Sequence, residues 1–386
     1  MNAGGPRIAM VAGEASGDML AAHLIEALAT RLPGARFFGI GGANMRARGF
    51  DAWWESERLA VRGYVEVLRH YPGLIALRRQ LRERLLAEPP DLFIGVDAPD
   101  FNLDLEAGLK QRGLRTAHLV SPSVWAWRGG RMRRIAAAVE HMLCLFPFEE
   151  PLYRRAGVAA TYVGHPLADV IPEAPDAAAA RMALGLPVAG RVVALLPGSR
   201  QSELAYLADR FVAAAQLLAR QDAKLRFVVP LANESTAAQW RAAAARQNGP
   251  DCVLAVGGTR TALAACDVAL VASGTATLEA ALFKRPMVIA YNMAPLSWAL
   301  MRRMHYQPWV GLPNILAGEF VVPELLQDDA NPANLAQALG NLLSDAVMRE
   351  RVVARFRALH KDLRLGMADR AAAAIEAAFF GAPARA

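Results

Sequence analysis

An α/β architecture of two parallel-sheet domains is predicted by three observations. The same strand–turn–helix unit occurs at residues 8–18 (IAMVAGEASGD) and again at 192–203 (VVALLPGSRQSE). Strand-like apolar runs alternate with helical patterns in each half of the chain. Finally, 386 residues with 54% hydrophobic content exceed what one ordinary core uses. An apolar run bounded by Gly reads as a buried parallel strand, and a Gly turn feeding a helix leaves backbone N–H groups able to hold an anion. Two such units half a chain apart predict two nucleotide-binding-type domains facing one cleft.

In chain order, strands are expected at 8–12, 36–40, 92–96, 116–120 and 142–146, with Ala- and Leu-rich helical segments between them. A Pro-containing stretch around Pro172 and Pro175 reads as a hinge, followed by an Ala-rich helical segment at 176–186. This divides the chain into domains 1–172 and 173–386. The alternation restarts with strands at 192–196, 226–230, 252–256, 268–272 and 287–291, and helical patterns from 332 to about 380 complete the second domain. The apolar stretch 286–301 is interrupted by Asn292 and prolines, so it reads as a strand and loop, not as a membrane span.

The formal charge of +7 favours an anionic partner. Basic residues fall in short clusters (Arg78, Arg79, Arg82, Arg84; Arg128, Arg131, Arg133, Arg134), which suit a phosphorylated substrate or an acidic membrane surface as well as nucleic acid. There is no Cys/His finger spacing, and aromatics do not interleave with basic residues, which argues against nucleic acid. Cys144, Cys252 and Cys266 are odd in number and lack CxxC spacing, as expected in a reducing, cytoplasmic compartment. The N-terminus carries no signal-peptide pattern.

Several segments carry chemistry. In the second turn, Gly198, Ser199 and Arg200 suit a diphosphate: Ser199 as the helix cap, Arg200 as a planar fork for phosphate oxygens. An ordinary capped turn with a surface Arg explains the same residues equally well. Ser273, Gly274, Thr275 and Thr277 open another helix after the 268–272 strand, and Glu279 lies about one turn in, where a carboxylate can accept from ribose hydroxyls. Neither turn is GxGxxG and no GxxxxGK[ST] occurs, so neither a nicotinamide dinucleotide nor ATP is favoured. The first turn differs: Glu14 and Asp18 flank Ser16, and two carboxylates repel a pyrophosphate, so hydroxyls or amides are the expected ligands. Helix N-terminal charges explain Glu14 and Asp18 as well.

Asp97 and Asp100 follow a strand at the carboxyl end of a parallel sheet, and Asp97 is the favoured general base, with Asp100 reading better as a cap around a Pro turn. Ser121, Trp125 and Arg128 in VSPSVWAWR (120–128) suit a sugar or acyl pocket beside a phosphate contact, although paired Trp residues are more often packing. His23, His118, His141 and His165 show no metal-ligand spacing, so no metal and no cofactor are expected. In the segment 59–86, Val65, Val67, Leu68, Leu74 and Ile75 precede a basic helix face, the pattern of an interfacial segment on an anionic bilayer. Leu74, Leu77, Leu81 and Leu85 keep helical spacing, so a core helix with a solvated Arg face is the competing reading.

Taken together, VAGEASGD (11–18), DAPDFN (97–102), VSPSVWAWR (120–128), LLPGSR (195–200), ASGTATLE (272–279) and LPN (312–314) closely resemble the lipid-A-disaccharide synthase family. The resemblance implies a GT-B architecture of two facing Rossmann-like domains with an inter-domain cleft. It implies an inverting, metal-independent transfer that joins UDP-2,3-diacylglucosamine to 2,3-diacylglucosamine 1-phosphate, giving the β-1,6-linked disaccharide 1-phosphate and UDP. UDP would lie in the C-terminal domain near Gly198–Arg200, Ser273–Thr277 and Glu279. Asn314 is carried over as a donor-site residue on the resemblance alone, and Arg200 would stabilise the departing UDP. The acceptor and the cytoplasmic face of the inner membrane would belong to the N-terminal domain, and a homodimer is left open. The competing readings are a UDP-N-acetylglucosamine 2-epimerase, a lipid II-forming transferase, and a non-catalytic nucleotide-sugar-binding membrane adaptor.

Overall fold

The computed structural model describes residues 5–59, 64–122, 131–294, 298 and 308–381, with the backbone alone for 64–71. It contains two compact units, one taking Met1–Asp169 with Leu363–Ala386 and the other Val170–Asp362. Each unit is built on one parallel sheet.

The first sheet has strands β1 (Arg7–Ala12), β2 (Arg36–Gly41), β3 (Asp51–Glu55), β4 (Leu92–Val96), β5 (Thr116–Leu119), β6 (His141–Cys144) and β7 (Ala159–Tyr162), in the order β3-β2-β1-β4-β5-β6-β7. In the central pair, Ile8 lies opposite Leu92 and Ala12 opposite Val96. All five residues of β4 are buried because helices cover both faces, which is why its sequence is a continuous apolar run instead of an alternating one. Ile8, Met10 and Ala12 point to one face, where they pack with Leu24, Ile25 and Leu28 of the Ala15–Arg31 helix. Ala9 and Val11 point to the other, beneath Leu77, Leu81 and Leu85 of the Tyr64–Ala87 helix and Leu105 and Leu109 of the Pro99–Lys110 helix.

The second sheet has β8 (Val192–Leu196), β9 (Arg226–Leu231), β10 (Cys252–Val256), β11 (Val268–Ala272), β12 (Met287–Tyr291) and β13 (Glu324–Leu326), in the order β10-β9-β8-β11-β12-β13. Helices Gln201–Gln221, Glu234–Gln247 and Pro332–Ser344 cover the face carrying Val193, Leu195 and Leu270. Strand order reverses between β1 and β4 in one unit and between β8 and β11 in the other. In open α/β sheets, the crevice beyond the strand carboxyl ends at such a reversal is where ligands bind.

The interior strands agree with expectation; β3, β7 and β13 were not expected. Each is a sheet edge of three to five residues, and none consists of a continuous apolar run. β5 stops one residue early because Val120 turns at φ +78°. The terminal helices, all expected in the second domain, divide. Pro332–Ser344 packs in the second unit, whereas Met367–Ile375 returns to the first and buries Ala371, Ala372 and Ile375 against the Ala15–Arg31 helix. Arg31 pairs with Glu376 at 2.9 Å, and the Arg115 guanidinium lies 4.6 Å from the Phe379 ring centroid. An amphipathic helix at the chain end packs wherever a complementary apolar stripe is open, and sequence order does not specify that place.

The Tyr64–Ala87 helix runs through Pro72, and from Leu77 onward it is a core helix, as Leu81 and Leu85 are fully buried. Arg78 pairs with Asp104 at 2.7 Å and Arg84 stacks 3.7 Å over Trp53, so part of its basic face is engaged within the unit. Leu74 is half-buried and Ile75 exposed, while the side chains of Val65, Val67 and Leu68 lie outside the described residues. No described helix is long and apolar enough to cross a membrane. The three cysteines are free.

Candidate active site

At the reversal in the first sheet, the turn after β1 meets the turn after β4. A methyl group added to Gly13 would lie 2.8 Å from Ala98 Cβ, too close for any real side chain, so the two turns approach this closely only with glycine at position 13. Asp97 and Ala98 both have left-handed backbones, φ +54° and +44°. Two consecutive non-glycine residues in that region cost about 1–3 kcal/mol each and persist only where the surroundings over-determine them. The Asp97 N–H donates to Leu119 O at 3.0 Å, and Asn102 Nδ2 donates to Asp97 O at 2.8 Å and to Val11 O at 3.3 Å. The half-buried Asp97 carboxylate has no hydrogen-bond or ion-pair partner among the described residues. Glu14 and Ser16 are exposed on the adjoining turn, Glu14 as the helix N-cap residue with no side-chain cap bond.

Asp18 stands apart from these. It is buried, and its carboxylate accepts from the Gly42, Asn44 and Met45 N–H groups at 2.7, 2.9 and 3.3 Å and from Asn44 Nδ2 at 2.9 Å. Its charge is taken up at the start of the short Ala43–Arg46 helix, so of the two carboxylates expected to repel a pyrophosphate only Glu14 stands exposed. Asp18→Ala leaves these donors without their acceptor. It is expected to cost about 2–4 kcal/mol, read as a lowered denaturant midpoint. Asp100 is exposed in the first turn of the Pro99–Lys110 helix and pairs with Arg131; it is not the cap it was expected to be, since the N-cap is Ala98. Ser121 bonds the buried Tyr153 hydroxyl at 2.7 Å, and burial pushes the Tyr153 phenol well above its ordinary range. Trp125 and Arg128 lie outside the described residues.

In the second unit, Gly198 turns at φ +119° and delivers Ser199 and Arg200 to the start of the Gln201–Gln221 helix. The helix cap is Arg200, not Ser199, and the capping carboxylate comes from Glu203, which accepts from Ser199 N at 2.9 Å, Arg200 N at 3.3 Å and Arg200 Nη1 at 3.1 Å. The amides expected to hold an anion already hold one, supplied by the chain itself. Arg200 remains 78% exposed, so the rest of its fork is open to a ligand.

The second small-residue turn follows β11, beside β8 in the sheet. Gly274 and Thr275 are exposed, but Thr277 is buried and its hydroxyl donates to Gly274 O at 2.7 Å, so it builds the turn. Ser273 donates to Val310 O at 3.1 Å. Glu279 lies 3.6 Å from Arg260, and burial raises its carboxyl above the ordinary range despite that partner. Asn314 is fully buried and saturated: Nδ2 donates to Val322 O and Glu324 Oε1, and Oδ1 accepts from the Val321 and Val322 N–H groups. Its polar atoms are thus committed to neighbouring groups of the same unit. Its partner Glu324, which the sequence reading missed, also accepts from Val310 N and Gly311 N at 2.8 and 3.0 Å. The segment held by Glu324 is the one that meets Ser273. Among the described residues, no group of three or more His, Cys, Asp or Glu side chains is placed to hold a metal ion.

Two parallel sheets, each reversing strand order where its glycine turns gather, define a protein of the GT-B type. In agreement, the UDP-GlcNAc 2-epimerase from Neisseria meningitidis shares the fold at a TM-score of 0.66 and 10% identity, covering 97% of this chain and 100% of that one. A calicheamicin glycosyltransferase does so at 0.58 and 17%, covering 98% and 99%. The family model for lipid-A-disaccharide synthetase matches residues 8–378. Among similar proteins, the lipid-A-disaccharide synthase of Aromatoleum aromaticum is 57% identical over 371 residues, 96% of this chain and 95% of that one. That of Dechloromonas aromatica is 55% identical over 372 residues, 96% and 97%. The chain belongs to the lipid-A-disaccharide synthase family.

Proposed function

We propose that this chain is an inverting glycosyltransferase that joins UDP-2,3-diacylglucosamine to 2,3-diacylglucosamine 1-phosphate, releasing UDP and the β-1,6-linked disaccharide 1-phosphate. Family membership favours this over the epimerase, the lipid II-forming transferase and the non-catalytic adaptor. The observation that carries the chemistry is the unpartnered Asp97 carboxylate on a left-handed turn at the sheet crest. Asp97 takes the proton from the acceptor 6-hydroxyl as that oxygen bonds to the donor anomeric carbon. The bond from that carbon to the UDP oxygen breaks with inversion, and Arg200 takes up the charge that grows on the β-phosphate.

On the donor side, Gly198, Ser199, Arg200, Gly274 and Thr275 surround the diphosphate and Glu279 accepts from the ribose, with Ser273, Thr277 and Asn314 holding the turns. The acceptor side uses Glu14, Ser16, Ser121, Trp125 and Arg128, and Asp18 and Asp100 support the backbone there. Purified protein supplied with both acylated sugars in EDTA should release UDP and disaccharide. Absence of product from a folded, lipid-dispersed sample sinks the reading.

The acyl chains of both substrates place the enzyme at a membrane surface, the cytoplasmic face of the inner membrane, through Val65, Val67, Leu68, Leu74 and Ile75. The triple variant Val65→Ser, Leu68→Ser, Ile75→Ser is expected to weaken binding to anionic liposomes about tenfold or more. Unchanged flotation of a folded triple variant assigns membrane contact elsewhere.

A further inference from the structure

Beneath the Asp97 turn lies a buried polar cluster that the transfer chemistry does not use. Asn102, Glu106 and His118 are each 0% exposed, and Glu106 Oε1 meets His118 Nδ1 at 2.7 Å. The sheet makes room for them by a missing side chain: a methyl group on Gly95, in β4, would fall 2.1 Å from Glu106 Oε1, 2.9 Å from His118 Nδ1 and 3.0 Å from Asn102 Cβ. Three atoms of the cluster, Asn102 Oδ1, Glu106 Oε2 and His118 Nε2, have no hydrogen-bond partner among the described residues although fully buried. Such orphaned atoms are rare and call for a reason beyond packing, because an apolar trio would fill the space without them.

The reason lies in what the cluster grips. Asn102 and Glu106 stand one turn apart on the Pro99–Lys110 helix, whose N-cap is the left-handed Ala98. Asn102 ties that helix to the tips of β1 and β4 through Val11 O and Asp97 O, and Glu106 ties it to the middle of β5 through His118. Two pins on one helix face fix both its register along the sheet and its rotation. Among the described residues, the Asp97 carboxylate, two residues before the helix, has no hydrogen-bond or ion-pair partner of its own to hold it.

We propose that Asn102, Glu106 and His118 are positioning residues that hold Asp97 in its reactive geometry. This rests on Asp97 being the base, and the experiment separates the two claims. Steady-state kcat and KM for both acylated sugars, with melting temperature and UDP affinity, would be measured for the wild type, Asp97→Asn, Asn102→Ala, Glu106→Gln and the double variant Glu106→Leu/His118→Leu. Asn102→Ala and the double variant are expected to lose about 10- to 100-fold in kcat, with KM and UDP affinity little changed. The double variant, apolar throughout, should melt no lower than the wild type while losing turnover, a divergence that a merely structural pair does not produce. Glu106→Gln keeps the shape and an acceptor for His118, folds, and should restore kcat to within about threefold of the wild type. Near-normal kcat in folded Asn102→Ala or in the folded double variant overturns the proposal, as does a loss of tenfold or more in Glu106→Gln. If Asp97→Asn itself keeps normal turnover, it is the assignment of the base that fails.

Discussion

Asp97→Asn is expected to lower kcat by about 10²- to 10⁴-fold, the usual contribution of a positioned general base. The choice of Asn makes the result interpretable. Asp97 sits at φ +54°, and Asn is one of the few residues that tolerates a left-handed backbone, so the turn and its bonds to Leu119 and Asn102 are kept while proton acceptance is lost. UDP affinity, measured by titration calorimetry, should stay within about twofold, because the donor turns belong to the other unit. Asp97→Ala is a poorer test, since it adds backbone strain to the loss of the carboxylate. Wild-type kcat in Asp97→Asn moves the base to another residue, with the exposed Glu14 on the adjoining turn the first to examine.

Arg200→Ala is expected to cost about 10²- to 10³-fold in kcat, the range seen when a group that stabilises developing transition-state charge is removed. The helix start should survive, because Glu203 still accepts from the Ser199 and residue-200 backbone N–H groups. Circular dichroism and the melting temperature should therefore change little. Arg200→Lys should recover only a small part of the loss, since an ammonium lacks the planar fork that spans two phosphate oxygens. If Arg200→Ala raises KM for the UDP-sugar without lowering kcat, Arg200 binds ground state and transition state alike and has no special hold on the leaving group.

The two glycine turns and the strands β1 and β8 behind them were legible because each strand is an apolar run stopped by a Gly-containing turn. The strand bounds at β8, β10, β11 and β12 agree to the residue. Three of the four edge strands, β3, β7 and β13, were not legible, since three to five residues of mixed polarity carry no period. Within the candidate site, several of the side chains expected to meet a ligand are already engaged by the chain itself. Asp18, Thr277 and Asn314 fall in the expected motifs, yet each spends its polar atoms on neighbouring backbone or side-chain groups. Conversely, Glu203, Glu324 and the Asn102–Glu106–His118 cluster sit a few residues from a motif or on another strand, where spacing alone gives no reason to choose them.

By itself, the sequence determined the two-sheet class and where in the chain most of the strands fall. These follow from local composition, because apolar length and glycine placement are properties of short segments. Only the tertiary structure decided which carboxylates are free. Asp97, on two consecutive left-handed residues at the end of β4, has no hydrogen-bond or ion-pair partner among the described residues, whereas the Asp18 oxygens are taken by amides more than 20 residues away and those of Glu203 by the turn before it. Only the tertiary structure returned the last helix to the first unit, since an apolar stripe is filled by whichever helix fits it. A side chain's chemistry depends on whether its hydrogen-bonding capacity is already taken, and that is settled by groups distant in sequence.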